Sequence, residues 1–581
     1  MTAWTFKTKL ERIAFIIFSL ALGSNLLSAQ TIDDKVIITH RSDVYTFFEK
    51  DGQLKVRHDV KEDYKLNSSI DQKVYPAITY TTDGMITLKS ASCPGSKAQY
   101  KNINPDGIFH DDTQLCYFVT TLTPRIPTRT VRFTRIINDA HYLTRIDLGC
   151  NHLTQEHTLS MVFPKDTTPL RLVPMNMTKD TQVDTIVTNE GITITYTLHH
   201  CKPIPEEKMT PPYQHIAPQL LVTGIFSDYH ELYKWQSRFA VADTVIPSLS
   251  SLLQEINRDS HNDMDRLRNT YQWVQRNIRY IAFEAGNACL QPDSPAEVLR
   301  KRYGDCKGMA TLLCTLLRAQ GFDARRTSIG TTDIPYHISQ YPTLSAANHE
   351  ICTVFHQGRT YFLDATLRHI PLDYVPQHIQ GKDAMVEDGD DCLMLDVPVL
   401  PASTSIDSLY YQYELAPEGQ LSGEYARTFS GELEELFQRT NPNDTTIRAG
   451  AIDTKDVVLK VDDELYLDMN PHKDTYAYKV DTLKRHNDVW LPLRLRMVRE
   501  VHLHLPQTYM VSYLPHDIDL TIEQGRLSCT FRQEGDTIIY KQSLQVNNQY
   551  VPINQFSAWN KAIDRWHETC NEQIILKRKT A

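Results

Sequence analysis

The chain has 581 residues, 41% of them hydrophobic and 23% charged, and a formal net charge of −10. This balance is that of a globular protein and excludes a largely disordered one. The length is more than one core serves and predicts about three domains, and the acidic excess argues against a broad nucleic-acid-binding surface.

At the start, Lys7, Lys9 and Arg12 precede an apolar run from Ile13 to Leu22, and Leu27-Ser28-Ala29 offers a small-residue cleavage point before Gln30. That order predicts a secretory signal peptide over 1–29. The apolar run is short for a span of ~20 residues, no cysteine follows it to take a lipid anchor, and no second membrane-length segment occurs. The mature chain is therefore predicted to be soluble and exported, periplasmic or extracellular, with no membrane span. Losing residues 1–29, with Lys7, Lys9, Arg12 and Glu11, takes the net charge from −10 to −12.

Residues 30–245 are predicted to form an N-terminal β-rich, sandwich-like domain. Short alternating stretches such as Val36–His40, Thr128–Phe133 and Gly191–Tyr196 lie between turn-rich pieces, among them Pro105-Asp106-Gly107 and Asn189-Glu190-Gly191. Tyr229–Phe239 has helical character and bridges to the next domain.

Over 246–400 the period changes. Met264, Leu267, Tyr271, Val274 and Ile278 recur at helical spacing and predict a helix over 261–278, with Asp259-Ser260 as capping candidates. Asp263 and Asp265 decorate its start. Arg279–Phe283 reads as a short extended segment, and Ser294–Leu299 as a small helix with proline at its first position. The next helix carries Met309, Leu312, Leu313, Leu316 and Leu317 on one face and ends at Gly321. Asp305 is its natural N-cap, which puts Cys306 in the first turn. Residues 350–364 then alternate about Gln357-Gly358 and predict a hairpin in which Phe355 faces Thr360. His349 would face Thr366, and Asp364 would be its diagonal neighbour on the same face; a slip of one residue would separate the two.

Residues 401–581 return to a β pattern, with turns at Pro417-Glu418-Gly419 and Glu534-Gly535-Asp536. A helix around Ser557–Thr569 and a terminal strand at Ile574–Leu576 close this C-terminal β-rich domain.

The chemistry concentrates between 304 and 364. A cysteine in the first turn of a helix has its thiolate favoured by the macrodipole and by unpaired backbone N–H groups. A histidine oriented by an aspartate completes a Cys-His-Asp arrangement for nucleophilic acyl transfer. Cys306 sits in a polar Gly-Asp-Cys-Lys start, unlike Cys314 and Cys352, which read as buried packing residues. The eleven cysteines are scattered with no close CxxC pair, which disfavours a zinc ribbon or redox motif. Their odd number leaves at least one outside any intrachain pair, and Cys306 is the candidate. Glu387-Asp388-Gly389-Asp390-Asp391 lacks the ligand spacing of an EF-hand and reads as a solvated acidic loop. No Walker loop, dinucleotide fingerprint or HExxH motif occurs, and no cofactor or metal site is predicted.

Three segments, Ile278-Arg279-Tyr280, Tyr303-Gly304-Asp305-Cys306-Lys307 and Leu316-Leu317-Arg318-Ala319-Gln320-Gly321, resemble the transglutaminase-like core of the papain-like fold. Asn348-His349-Glu350 and Tyr361–Thr366 resemble that family's histidine and aspartate strands. The flanks are similar to bacterial exported proteins with an N-terminal β domain of unknown function and a C-terminal β domain. The resemblance implies a multidomain protein with an α+β papain-like core, Cys306 as nucleophile, His349 as general base and acid, and Asp364 as the group that orients it. Tyr280 is a candidate second oxyanion donor beside the backbone N–H of Cys306, with simple packing as its other reading. Bacterial relatives often carry aspartate where this chain has Gly308.

The leading expectation is an exported thiol acyl-transfer enzyme acting on protein or peptide amides through a thioester. A cysteine peptidase or amidase would use the same triad. A non-catalytic envelope scaffold, binding envelope proteins through its β domains, is the alternative in another class.

Overall fold

The computed structural model describes residues 34–102, 109–110, 112–165, 167–240, 246–283, 289–440, 449–451, 457–470 and 478–579. The leader predicted over 1–29 and the turn at Pro105-Asp106-Gly107 lie outside them. The fold is a strand-rich multidomain one with a mixed α/β core between β-rich N- and C-terminal regions.

In the N-terminal region β1 (Val36–Lys50), β2 (Gln53–Leu66), β3 (Ile86–Ser92), β4 (Thr128–Ile137), β5 (Leu153–Pro164), β6 (Gln182–Thr188) and β7 (Gly191–Cys201) form one sheet in the order β6-β7-β5-β1-β2-β4-β3. β1 pairs with β5 in parallel; its other neighbour, β2, is antiparallel across the two-residue turn Asp51-Gly52, at φ 58° and 71°. Two successive positive φ angles match the twist of the joined strands. Two three-stranded sheets cover the large one. Ile78 and Cys116 of one share a core with Val60 and Phe133, and Ile146, Leu220 and Val222 of the other with Phe47 and Leu159. The leading strands run longer than the short stretches the sequence suggests. Their inward positions include Asp43 on β1, His58 and Glu62 on β2 and His157 on β5, and these polar residues mask the apolar alternation.

α1 (Tyr229–Gln236), capped by Asp228, buries Leu232 and Trp235 against Ile334, Tyr336 and Met385 of the core. Next come α2 (Leu249–Ile256), α3 (Asp263–Asn277), α4 (Pro295–Lys301) and α5 (Cys306–Arg318). The cap of α3 is Asn262, whose side chain accepts from the Asp265 N–H, rather than Asp259 or Ser260. The core sheet has the order β10 (Arg359–Leu363), β9 (His349–His356), β8 (Asp323–Ile329), β11 (Asp383–Asp388), β12 (Asp391–Asp396), antiparallel throughout. Leu312, Leu313, Leu316 and Leu317 of α5 pack on Cys352, Val354, Tyr361 and Leu363 of that sheet.

The C-terminal region holds a second seven-stranded sheet, built on β13 (Ile406–Leu415), β14 (Leu421–Phe429), β15 (Leu495–His504), β16 (Gly525–Glu534) and β17 (Thr537–Val546), with α6 (Glu432–Thr440) beside it. α7 (Phe556–Cys570) sets Trp559, Ile563 and Trp566 into its core. The terminal strand Gln573–Arg578 pairs with Glu464–Asp468. Among the described residues no helix is long and apolar enough to cross a membrane.

Candidate active site

Cys306 is the first residue of α5 and is half-buried. The Asp305 carboxylate accepts the Gly308 N–H on Oδ1 at 2.8 Å, while its Oδ2 lies 2.6 Å from Lys307 Nζ. One buried carboxylate thus caps the helix and holds a buried ammonium next to the thiol. Burial works against the charge on Lys307, but the charges of Cys306 and Asp305 and the hydrogen bond to Asp305 outweigh it and push its pKa up. A Cβ at Gly308 would lie 3.1 Å from Val298 Cγ2 and 3.4 Å from Asp305 Oδ1. The space beside Gly308 is taken up by the packing of α4 and by the cap.

His349 opens β9, and the hairpin that follows has the predicted register: Phe355 faces Thr360 and the loop is Gln357-Gly358, both at positive φ. His349 Nε2 lies 2.8 Å from Asp364 Oδ2. Burial alone would deprotonate His349; the charge and hydrogen bond of Asp364, with a hydrogen bond and charge from Cys306, instead raise its pKa well above the usual range. With Nε2 on Asp364, Nδ1 is the ring nitrogen left for Cys306. The three predicted residues therefore meet, with the imidazole between thiol and carboxylate.

Asp364 is fully buried, and burial alone would raise its pKa. The charge and hydrogen bond of His349, joined by those of His378, push it well below the ordinary carboxylate range instead. Its Oδ1 accepts the Thr366 N–H at 2.9 Å and the Thr366 hydroxyl at 2.6 Å. Its Oδ2 takes a second imidazole, His378 Nε2 at 3.0 Å. His378 lies in a loop without hydrophobic periodicity and gives no signal in the sequence.

Other parts of the chain hold the loops around this cluster. Tyr271 of α3 donates its hydroxyl to the Asp364 carbonyl at 2.9 Å, and Gln275 donates to the carbonyls of Leu367 and Ile370. Glu435 of α6 accepts the His369 N–H at 2.5 Å, so the C-terminal region braces the same loop. Before His349, the Asn348 side chain exchanges hydrogen bonds with Thr331. Buried Lys382 donates to the carbonyls of Ile334 and Tyr336, and Asp383 accepts the Ile338 and Ser339 N–H groups. Glu350, the neighbour of His349, has its pKa raised by burial, with the charges of Arg326 and Lys307 opposing.

Tyr280 sits on a two-residue strand paired in parallel with Tyr303-Gly304, and the Ile281 N–H donates to the Gly304 carbonyl. Its backbone is thereby tied to the residues leading into Cys306. Of the thiols, Cys314 and Cys352 are buried as expected.

Residues 250–360 match the model of the transglutaminase-like superfamily, and residues 463–576 match DUF3858, a domain of unknown function with a solved structure. The chain therefore contains a transglutaminase-like domain; the matched stretch holds Cys306 and His349 and stops short of Asp364. Over 123 residues the chain is 24% identical to the kyphoscoliosis peptidase of Mus musculus, an alignment covering 21% of this chain and 18% of that protein. It thus spans under a fifth of the length of that curated relative. A crystal structure described as a "putative protease" from Parabacteroides distasonis ATCC 8503 superposes with a TM-score of 0.61 at 13% identity, covering 94% of this chain and 99% of that one. The whole multidomain architecture is shared with that structure, at the level of fold.

Proposed function

We propose that this protein is a thiol enzyme that breaks amide bonds in peptides or proteins through a thioester on Cys306, within a core over 246–400 flanked by substrate-binding β regions at 30–245 and 401–581. The observation that carries the reading is the meeting of Cys306, His349 and a fully buried Asp364 at the start of an N-capped helix. A cavity or a cysteine alone would not carry it.

The steps follow from the geometry. The Cys306 thiolate attacks the amide carbonyl, and the backbone N–H of Cys306 in the first turn of α5 faces the developing oxyanion. Protonated His349 gives its proton to the departing amine, which leaves the acyl group as a thioester and the imidazole neutral. Water or an amine then attacks the thioester while His349 takes its proton, and the thiolate is released with hydrolysed or transferred acyl product. Asp364 holds the imidazole and stabilises its cationic form throughout. Tyr280 packs partly buried against the core behind α5, the packing role its position in the sequence also allows, and the scheme draws on no donor but the backbone N–H of Cys306. The names of the relatives favour water as the acceptor.

The leader pattern in the sequence supports a place of work outside the cytoplasm; sequencing the N-terminus of exported protein should give Gln30, and a chain retaining Met1 would contradict that. The test of the chemistry is site-resolved alkylation of Cys306 across pH, in the wild type and in His349→Ala. Reactivity well below the free-thiol pKa of about 8.5, lost in the variant, is expected. Ordinary reactivity indifferent to His349 would overturn the enzyme in favour of an envelope scaffold. Mass analysis of products from a peptide substrate with and without added amine then separates hydrolysis from transfer.

A further inference from the structure

The acidic turn between β11 and β12 reads in the sequence as a solvated loop, and residues 388–391 are exposed in the fold, with α1 held beside them. His230 of α1 sets its Nδ1 2.5 Å from Asp391 Oδ1 and 4.0 Å from Cys392 Sγ, although some 160 residues of chain separate them. The three ligand atoms, one nitrogen, one oxygen and one sulfur, lie within 4.8 Å of one another. Helix and turn are also joined outside this cluster, where the Tyr233 hydroxyl donates to the Gly389 carbonyl at 3.1 Å. Within it, the Cys392 N–H donates to Asp391 Oδ1 at 2.8 Å.

We propose that His230, Asp391 and Cys392 form a binding site for a borderline-soft divalent cation of the zinc class, which staples α1 to the β11–β12 turn. Imidazole, carboxylate and thiolate are the ligand set that zinc selects over magnesium or calcium, which favour oxygen alone. The thiol is buried, at 4% exposure, while the His230 and Asp391 side chains are 39% and 53% exposed. The cluster therefore has a dry sulfur at its base and an open mouth where a fourth ligand, a water, completes a tetrahedron. Asp228 and Asp388 add negative charge around the sulfur, with Lys234 opposing.

A second Cys-His-Asp nucleophile is a poorer reading of the same residues. A relay needs carboxylate and sulfur on opposite ring nitrogens, and here both approach Nδ1. The sulfur stands 4.0 Å from the same nitrogen, and a cation bridging the three atoms would open the Nδ1–Oδ1 contact from its 2.5 Å. Metal binding would displace the proton from the thiol and from the His230–Asp391 contact. Its effect would be to fix the approach of the N-terminal region to the core sheet.

The experiment uses the full chain stripped with chelator, then titrated with Zn2+ by calorimetry and with Co2+ by absorbance, in the wild type, His230→Ala, Cys392→Ser and His378→Ala. One equivalent bound with a thiolate-to-cobalt charge-transfer band is expected. The band should vanish in His230→Ala and Cys392→Ser and persist in His378→Ala, with a Zn2+-dependent rise in Tm that His230→Ala abolishes. His230 is exposed, so its variant stays informative if Cys392→Ser folds poorly. No stoichiometric binding would overturn the proposal. So would a band that survives His230→Ala, or one lost in His378→Ala, which would place the metal on the His349, Asp364 and His378 cluster instead.

Discussion

The N-terminal sheet and the core each bury an aspartate between two histidines. Asp43 holds His58 Nε2 and His157 Nε2, both at 2.8 Å, and Asp364 holds His349 Nε2 at 2.8 Å and His378 Nε2 at 3.0 Å. Asp43 takes one histidine on each oxygen, whereas Asp364 takes both on Oδ2 and gives Oδ1 to Thr366. Around Asp43 the histidines are sealed between strands, at 4% and 1% side-chain exposure, with Arg41 bound to the same carboxylate and Arg135 to His58. Burial, helped by those two guanidinium charges, lowers the pKa of His58 to about 4, so its ring stays neutral at physiological pH. Around Asp364 the neighbour is a thiol, and the charges of Asp364 and Cys306 raise His349. A carboxylate–histidine pair is thus a structural device where cations surround it, and beside a thiol it has the charge arrangement that the proposed proton transfer requires. The neighbours, more than the pair, decide.

The sharpest break of the comparison is substitution of the two aspartates. Asp364→Asn should lower kcat on the order of 10^4-fold while leaving the fold intact, since the imidazole loses its orienting charge. Asp43→Ala should leave the rate per folded molecule within about twofold. It should instead lower the unfolding free energy of the N-terminal region by about 3–5 kcal/mol, because partly buried Arg41 loses its 2.7 Å partner and keeps only the longer contact to Glu62 at 3.7 Å. Rate assays on protein whose folding is verified by circular dichroism, beside urea unfolding, would separate the two. Equal loss of rate in both would erase the distinction.

A smaller effect tests the electrostatics away from both sites. Burial would raise the pKa of Glu387, but the hydrogen bonds and charges of Arg326 and Arg318 lower it to about 2 from an ordinary 4.5. A group depressed in the folded state contributes stability above its unfolded pKa and loses it as pH falls through the folded one. Stability of up to about 3 kcal/mol should therefore disappear between pH 4.5 and 2. Glu387→Gln should flatten that part of the profile in urea unfolding, and an unchanged slope would refute the pairing.

What was legible in the sequence was local. The leucine stripe from Met309 to Leu317 gave α5, Asp305 gave its cap, and alternation about Gln357-Gly358 gave the hairpin, whose ladder runs to Cys352 opposite Leu363 with His349 and Asp364 in contact just beyond it. Each is a short-range rule in which residues a few positions apart must share a face. The parallel pairing of β1 with β5 was not legible, because the partners lie over a hundred residues apart and polar Asp43 and His157 occupy inward positions. His378 sits in a loop where no period marks a side chain as inward. His230 is one exposed position on an amphipathic helix until the fold sets Asp391 against it. Contacts between distant, aperiodic segments leave no local trace.

The second histidines sharpen the comparison by the smallest effect. His157 is enclosed, so His157→Ala should strand a lone pair of Asp43 in a dry sheet and cost about 1–3 kcal/mol of stability. The His378 side chain is 32% exposed and stands edge-on to His349 at 5.5 Å between ring centroids. Water can take its place on Asp364, so His378→Ala should cost less stability and lower kcat less than about tenfold. Asp364 Oδ2 would then serve His349 alone and become a stronger acceptor, which raises the folded pKa of His349 further. The alkaline limb of the pH–rate profile, where the imidazolium is lost, should move to higher pH. A kcat loss as deep as that of Asp364→Asn would instead make His378 part of the reacting set, and the two aspartates would then differ in more than their neighbours.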